Sequence, residues 1–143
     1  MEPVGQPVPS TKKTTAVGCA SAAAVFVAAL IAVAVDYVLV VKARTFCDAG
    51  AEPQHLFALT VEMAARLLLA PPICVGIFFL VKRLGRALPG SKSMLLAAGV
   101  VVACLIVLII FDFATIGTLD GYPGDGSCPS DNTPPWWPSW LPS

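Results

Sequence analysis

Long runs of apolar residues dominate the pattern of this chain. The first extends over Ala16–Val41 and carries no charge before Asp36, and another, Ser93–Phe111, carries none at all. About 20 residues at a rise of 1.5 Å cross a hydrocarbon core of about 30 Å. The two runs therefore predict membrane-spanning helices over about 15–41 and 93–113.

A weaker apolar run lies between these two. Leu67–Val81 alone is short for a span, and a helix of full length must also contain Glu62 and Arg66. Insertion scales assign an ionised residue a cost of about 3 kcal/mol even at the helix centre, and these two lie near one end of the run. We therefore predict a second spanning helix over about 56–82.

The basic residues predict how the helices are oriented. Lys12 and Lys13 precede the first helix, and four more basic residues lie in or near the short connection between the second and third helices. These four are Lys82, Arg83, Arg86 and Lys92. Because basic loops stay in the cytoplasm, the N-terminus is predicted to be cytoplasmic and the C-terminus extracytoplasmic, in the plasma membrane. Lys42 and Arg44 oppose this orientation, but they are outnumbered.

The same pattern gives the domain organisation. We predict a disordered cytoplasmic segment over 1–14, a three-helix transmembrane domain over 15–113 and an extracytoplasmic tail over 114–143. A cleaved signal peptide is the alternative at the N-terminus, since Ala32 and Ala34 form a small-residue cleavage pattern. The apolar stretch before that pattern is longer than a typical signal peptide contains.

Composition supports a membrane protein and excludes other classes. Hydrophobic residues make up 57% of the chain and charged residues 13%, with a mean hydropathy of +0.80. Soluble domains are about one quarter charged, so this chain has too little polar surface to cover a water-soluble fold. The formal net charge is zero. We therefore expect the lipid bilayer, and no nucleic acid, as a partner.

Five cysteines divide between the predicted spans and the outer segments. Cys19, Cys74 and Cys104 fall inside helices, whereas Cys47 and Cys128 fall outside the membrane. An oxidising exterior favours a disulfide between the last two. The three cysteines in the spans lack metal-ligand spacing, so no metal site is predicted and apolar packing is expected for them.

Four ionisable residues map to the outer ends of the three predicted helices. They are Asp36, Glu62, Arg66 and Asp112. Glu62 and Arg66 are four residues apart with the acid first, which favours a pair on one helix face. The guanidinium of Arg66 has donors enough for Glu62 and for a carboxylate from another helix. We predict an interhelical ionic cluster, and the alternative is an ion, proton or ligand site.

The tail ends in a segment rich in proline and tryptophan. Prolines exclude regular helix there, so the tail is predicted to be irregular. Trp136, Trp137 and Trp140 predict either an anchor in the headgroup region or a partner-binding patch.

No pattern in the sequence predicts an enzyme. The single histidine, His55, cannot be combined with other residues into a known catalytic motif, and no cofactor is predicted. We expect a structural or accessory subunit of a membrane complex. The alternative is a small oligomeric transporter or channel that uses the four ionisable residues, since three spans line a path only together with other copies. A membrane thiol oxidoreductase is disfavoured because no vicinal cysteine pair is present.

Overall fold

The computed structural model describes residues 11–50, 52–118 and 126–142, with side chains from residue 18 onward. The described residues are all-helical and contain no strand. Three long helices follow one another: α1 (Thr11–Phe46), α2 (Pro53–Leu84) and α3 (Gly90–Asp112). Each is long and apolar enough to span a membrane, which confirms the predicted fold class.

The helices extend beyond the apolar runs that predicted them. We expected α1 to end near Val41, but it continues to Phe46, because Ala43 and Arg44 are buried against the rest of the protein and a basic residue in the last turn suits the helix dipole. We also expected irregular chain from residue 114. Instead α3 continues as a π-helical turn, Phe113–Gly117. The Thr115 hydroxyl donates to the Phe111 carbonyl oxygen at 2.8 Å and so satisfies a backbone acceptor in this turn.

Two adjacent prolines lie inside α2 without ending it. Pro71 and Pro72 remove two backbone donors, yet the helix runs on to Leu84, and the Pro71 side chain is buried. A short 3₁₀ helix, Gly85–Ala87, then leads into α3. Four of the basic residues that were predicted to stay in the cytoplasm lie here: Lys82 and Arg83 at the end of α2, Arg86 in the 3₁₀ helix and Lys92 at the start of α3. We call this the basic end of the bundle, and the opposite end, marked by Cys47, the disulfide end.

Small residues allow the helices to pack closely in the middle of the bundle. Ala29 of α1 and Ala97 of α3 are fully buried, and they form the core together with Cys74, Phe78 and Val101. Side chains without bulk let helix backbones approach, which is how helices commonly associate in lipid. The face of α1 that carries Ala29 also carries Val33, Asp36 and Val40, which are all buried, so this face packs within the bundle.

The outward faces of the helices are apolar. Leu68 is 76% exposed, and Phe57, Leu95 and Val107 are exposed to a similar extent. A soluble monomer rarely exposes an apolar surface this extensive. These faces fit a hydrocarbon environment.

Candidate functional site

The four predicted ionisable residues meet in one place, which we call the ionic cluster. Arg66 lies at its centre: Nη1 donates to Asp36 Oδ2 at 2.9 Å and also to Asp112 Oδ2, while Nη2 donates to Glu62 Oε1 at 2.6 Å. Each of the three helices supplies one carboxylate to the same guanidinium. The two aspartates bridge between helices, whereas Glu62 and Arg66 pair along α2 as their spacing predicted.

Burial differs among the three carboxylates. The side chains of Asp36 and Asp112 are only 5% and 9% exposed, whereas that of Glu62 is 45% exposed. An ion pair is weak at an exposed position, and a buried charge that loses its partner is costly. The two contacts between Arg66 and the aspartates therefore contribute more to the packing of the helices than the contact with Glu62 does.

The ionic cluster lies far from the basic end. Along α2, Arg66 and Lys82 are about 24 Å apart at a rise of 1.5 Å per residue. That distance approaches the thickness of a hydrocarbon core of about 30 Å. If the basic residues lie at one membrane surface, the ionic cluster lies just inside the other, where desolvation is less severe than at the midplane.

Two cavities are lined by residues of the ionic cluster. A small cavity of about 20 Å³ lies between α1 and α2, with Tyr37, Leu59 and Glu62 in its wall, and is large enough for one water molecule. A larger cavity of about 310 Å³ is lined by residues of all three helices and contacts Asp36, Arg66 and Asp112. Within the described residues, Asp36 Oδ1 is buried and has no hydrogen-bond partner.

A second arginine near the ionic cluster was not predicted. Arg44 lies on α1, is buried, and donates from Nε and Nη2 to the Ile116 carbonyl oxygen at 2.9 and 2.6 Å. These two hydrogen bonds link the last turns of α1 to the π-helical turn that follows α3. The spacing from Asp36 through Val40 to Arg44 places all three on one helix face, and that spacing is the signal that could have identified Arg44.

A disulfide joins the tail to the end of α1. Cys47 and Cys128 form it across 81 residues of sequence, with Cα atoms 5.4 Å apart. Cys47 is fully buried, and nearby the Ser127 hydroxyl donates to the Phe46 carbonyl oxygen at 3.2 Å. The described part of the tail is thus held against the disulfide end of the bundle.

Two of the three tail tryptophans pack against the bundle. Trp137 stacks on Phe113 with ring centroids 3.6 Å apart and planes 15° apart, and Trp136 meets the same ring edge-on at 6.0 Å. The Lys42 ammonium lies 5.2 Å from the centre of the Trp136 ring. Trp140 is 80% exposed. Of the three residues predicted to anchor or to bind a partner, Trp140 is the one that points away from the protein.

The remaining candidate residues do not assemble into a reactive centre in the described part of the chain. His55 lies in the first turn of α2 and lines a shallow pocket with Arg44 and Glu62. Cys74 is buried in the core, as expected, but Cys19 and Cys104 are exposed on the apolar faces, so apolar packing inside the bundle was wrong for these two. Among the described residues, no group of three or more His, Cys, Asp or Glu side chains is arranged so that it could hold a metal ion.

The fold and the ionic cluster define a class but not a family. The chain is an all-helical protein with three helices fit to span a membrane, linked near one end by buried charges and a disulfide. No family model matches it, and no curated protein or solved structure shows significant similarity to it.

Proposed function

We infer that this protein is a structural or accessory subunit of a membrane complex. The observation that carries this proposal is that Arg66 binds one carboxylate from each of the three helices. Charges that bind one another in this way fix the packing of a bundle. A rigid bundle with extensive apolar faces is suited to contact lipid and neighbouring membrane helices.

The middle of the bundle argues against transport by a single copy. Between the ionic cluster and the basic end, the core consists of Ala29, Cys74, Phe78, Ala97 and Val101. A proton or ion path needs polar groups or water along its length, and the described core offers neither carboxylate nor histidine at this depth.

The distribution of basic residues supports a plasma-membrane protein with its N-terminus in the cytoplasm. The basic end would then face the cytoplasm, and the disulfide would lie in the oxidising space outside. The ionic cluster would lie in the outer leaflet. This arrangement is consistent with a structural disulfide between Cys47 and Cys128.

A small oligomeric transporter or channel is the second candidate. The buried Asp36 Oδ1, which has no partner among the described residues, favours it, because an unsatisfied carboxylate oxygen is suited to bind a cation in transit. Several copies would be needed to enclose a path.

Purification of the tagged protein in digitonin, after mild cross-linking in intact membranes, separates the two candidates. We expect a complex with a second protein at fixed stoichiometry, and we expect deletion of that protein to lower the abundance of this chain. An unrelated three-span protein with the same tag is the control. A discrete homo-oligomer with no other component, together with ion flux in liposomes that Asp36→Asn abolishes, would contradict the accessory role.

A further inference from the structure

The larger cavity beside the ionic cluster has the form of a binding site for an amphiphile. Asp36, Arg66 and Asp112 lie at one end of it, and Leu105, Leu108 and Ile109 are among the apolar residues that continue it along α3. From Asp112 to Leu105 the axial distance is about 10 Å. Its volume of about 310 Å³ lies at the lower limit of small-molecule pockets, about 300 Å³.

Two alanines create the space between the helices. Ala32 of α1 and Ala70 of α2 both line the cavity. Larger side chains at these two positions would fill it. The cavity thus depends on particular residues and not on a general looseness of the bundle.

The charge at this end of the cavity selects the kind of head group. Asp36, Asp112 and Arg66 line the cavity, which leaves a formal excess of one negative charge, while Glu62 lines the smaller cavity and not this one. The side chains of Asp36 and Asp112 are only 5% and 9% exposed, so water compensates little for that charge. An ammonium group supplies both the missing charge and a hydrogen-bond donor.

We propose that this cavity binds an amphiphile with a primary ammonium head group, the ammonium lying against the carboxylates of Asp36 and Asp112 and the alkyl chain lying along Leu105, Leu108 and Ile109. A fatty acid is excluded because its carboxylate would face two others. A neutral alcohol can donate a hydrogen bond but does not balance the charge. The site is separate from the proposed accessory role and does not require a partner protein.

The test uses decylamine as the probe and decanol as the matched neutral compound, with the purified full-length protein in phosphatidylcholine nanodiscs. Native mass spectrometry after release from the nanodisc counts bound molecules. We expect one decylamine per chain, with decanol binding at least tenfold more weakly. Asp36→Asn should weaken decylamine binding by at least tenfold. Equal binding of the two compounds, or no saturable binding of decylamine, would overturn the proposal.

A pair of alanine variants on α1 locates the bound probe. Ala32→Leu fills the cavity and should abolish decylamine binding, whereas Ala34→Leu, at an exposed position outside the cavity, should bind as the wild type does. If Ala32→Leu fails to fold, Leu108→Trp at the partly exposed rim takes its place, with Val107→Trp as its control. Undiminished binding in the cavity-filling variants would show surface adsorption and refute the site.

A second arm distinguishes the two natural sources of such a head group. Nanodiscs that contain phosphatidylethanolamine present the same primary ammonium on a membrane lipid. Competition with decylamine would identify an aminolipid as the occupant, and its absence would identify a free amphiphilic amine. Either result identifies the occupant of this cavity only if Asp36→Asn also weakens the binding of decylamine.

Discussion

Replacing Arg66 with leucine removes the one cation that the three helices share. Asp36 and Asp112 would then face each other with neither counter-charge nor donor, in a part of the bundle where both are almost fully buried. Glu62 would suffer less, since its side chain is 45% exposed. We therefore expect the variant to fold less stably and the contacts between α1 and α3 to loosen first.

The size of the effect follows from the two interhelical contacts. Polar contacts between helices in membranes contribute about 0.6 kcal/mol on average and up to about 1.7 kcal/mol. Removing one partner from a buried pair in a soluble protein costs about 3 to 5 kcal/mol. In the proposed orientation the ionic cluster lies near a membrane surface, where water lessens the cost, so we expect Arg66→Leu to lower the free energy of unfolding by about 3 kcal/mol.

The assay is unfolding by sodium dodecyl sulfate in mixed micelles, followed by the tryptophan fluorescence of the tail and by circular dichroism. Arg83→Leu on the same helix is the matched control, because Arg83 is exposed and makes none of these contacts. It should unfold within about 0.5 kcal/mol of the wild type, as most surface substitutions do.

A compensating variant separates charge from packing. Replacing Glu62 together with Arg66 would still leave both aspartates unpaired, so the informative change is the triple variant Arg66→Met, Asp36→Asn and Asp112→Asn. It should recover at least half of the lost stability, because apolar and amide groups replace the stranded charges. Our reasoning fails if Arg66→Leu unfolds like the wild type, or if the triple variant is as unstable as the single one.

Three further predictions concern the disulfide end and use the same unfolding assay. Replacing both Cys47 and Cys128 with serine should lower the free energy of unfolding by about 2 kcal/mol. This is the lower limit for native disulfides, because the helices persist in the denatured micellar state. Free thiols at both positions, in membranes isolated with an alkylating agent present, would contradict the disulfide itself. Arg44→Leu should lower the free energy of unfolding by about 2 kcal/mol, because the charge-assisted hydrogen bonds to the π-helical turn are lost. An unchanged unfolding midpoint would show that these hydrogen bonds contribute nothing to stability. Trp137→Ala should lower the free energy of unfolding by about 1 kcal/mol, because the stacking of its ring on Phe113 is lost. Trp140→Ala should have no effect on stability. Equal losses of stability in the two variants would contradict the packing described for the tail.

The apolar pattern was sufficient to predict three helices because the need to satisfy every backbone group in lipid leaves few other structures. It could not predict where the helices end. At Lys42 the pattern becomes polar, yet α1 continues to Phe46, since helical hydrogen bonds persist into the membrane surface. For the same reason, the apolar pattern did not predict the π-helical turn Phe113–Gly117. The first residue of this turn, Phe113, is fully buried.

The ionic cluster was predictable because few charged residues occur in the spans, and those few must find one another. Its four members were predicted, but the pairing was not: we expected Arg66 to bind Glu62 and one further carboxylate, and it binds both Asp36 and Asp112 as well as Glu62. Arg44 was missed because its acceptor is a backbone carbonyl, which every residue possesses and no sequence pattern marks. Contacts between the tail and Phe113 depend on the disulfide, which holds the tail against the ends of the helices. No local sequence pattern predicts which side chains then meet.

The proposed membrane orientation is tested most directly by labelling single cysteines from outside the cell. Ser139→Cys and Ser91→Cys, both at exposed positions, would be introduced into a chain in which the free cysteines Cys19, Cys74 and Cys104 are alanine and the disulfide is kept. A membrane-impermeant maleimide should label residue 139 in intact cells and residue 91 only after permeabilisation, because the basic end faces the cytoplasm. Labelling of residue 91 in intact cells, with residue 139 protected, would contradict the orientation and the outer-leaflet position of the ionic cluster.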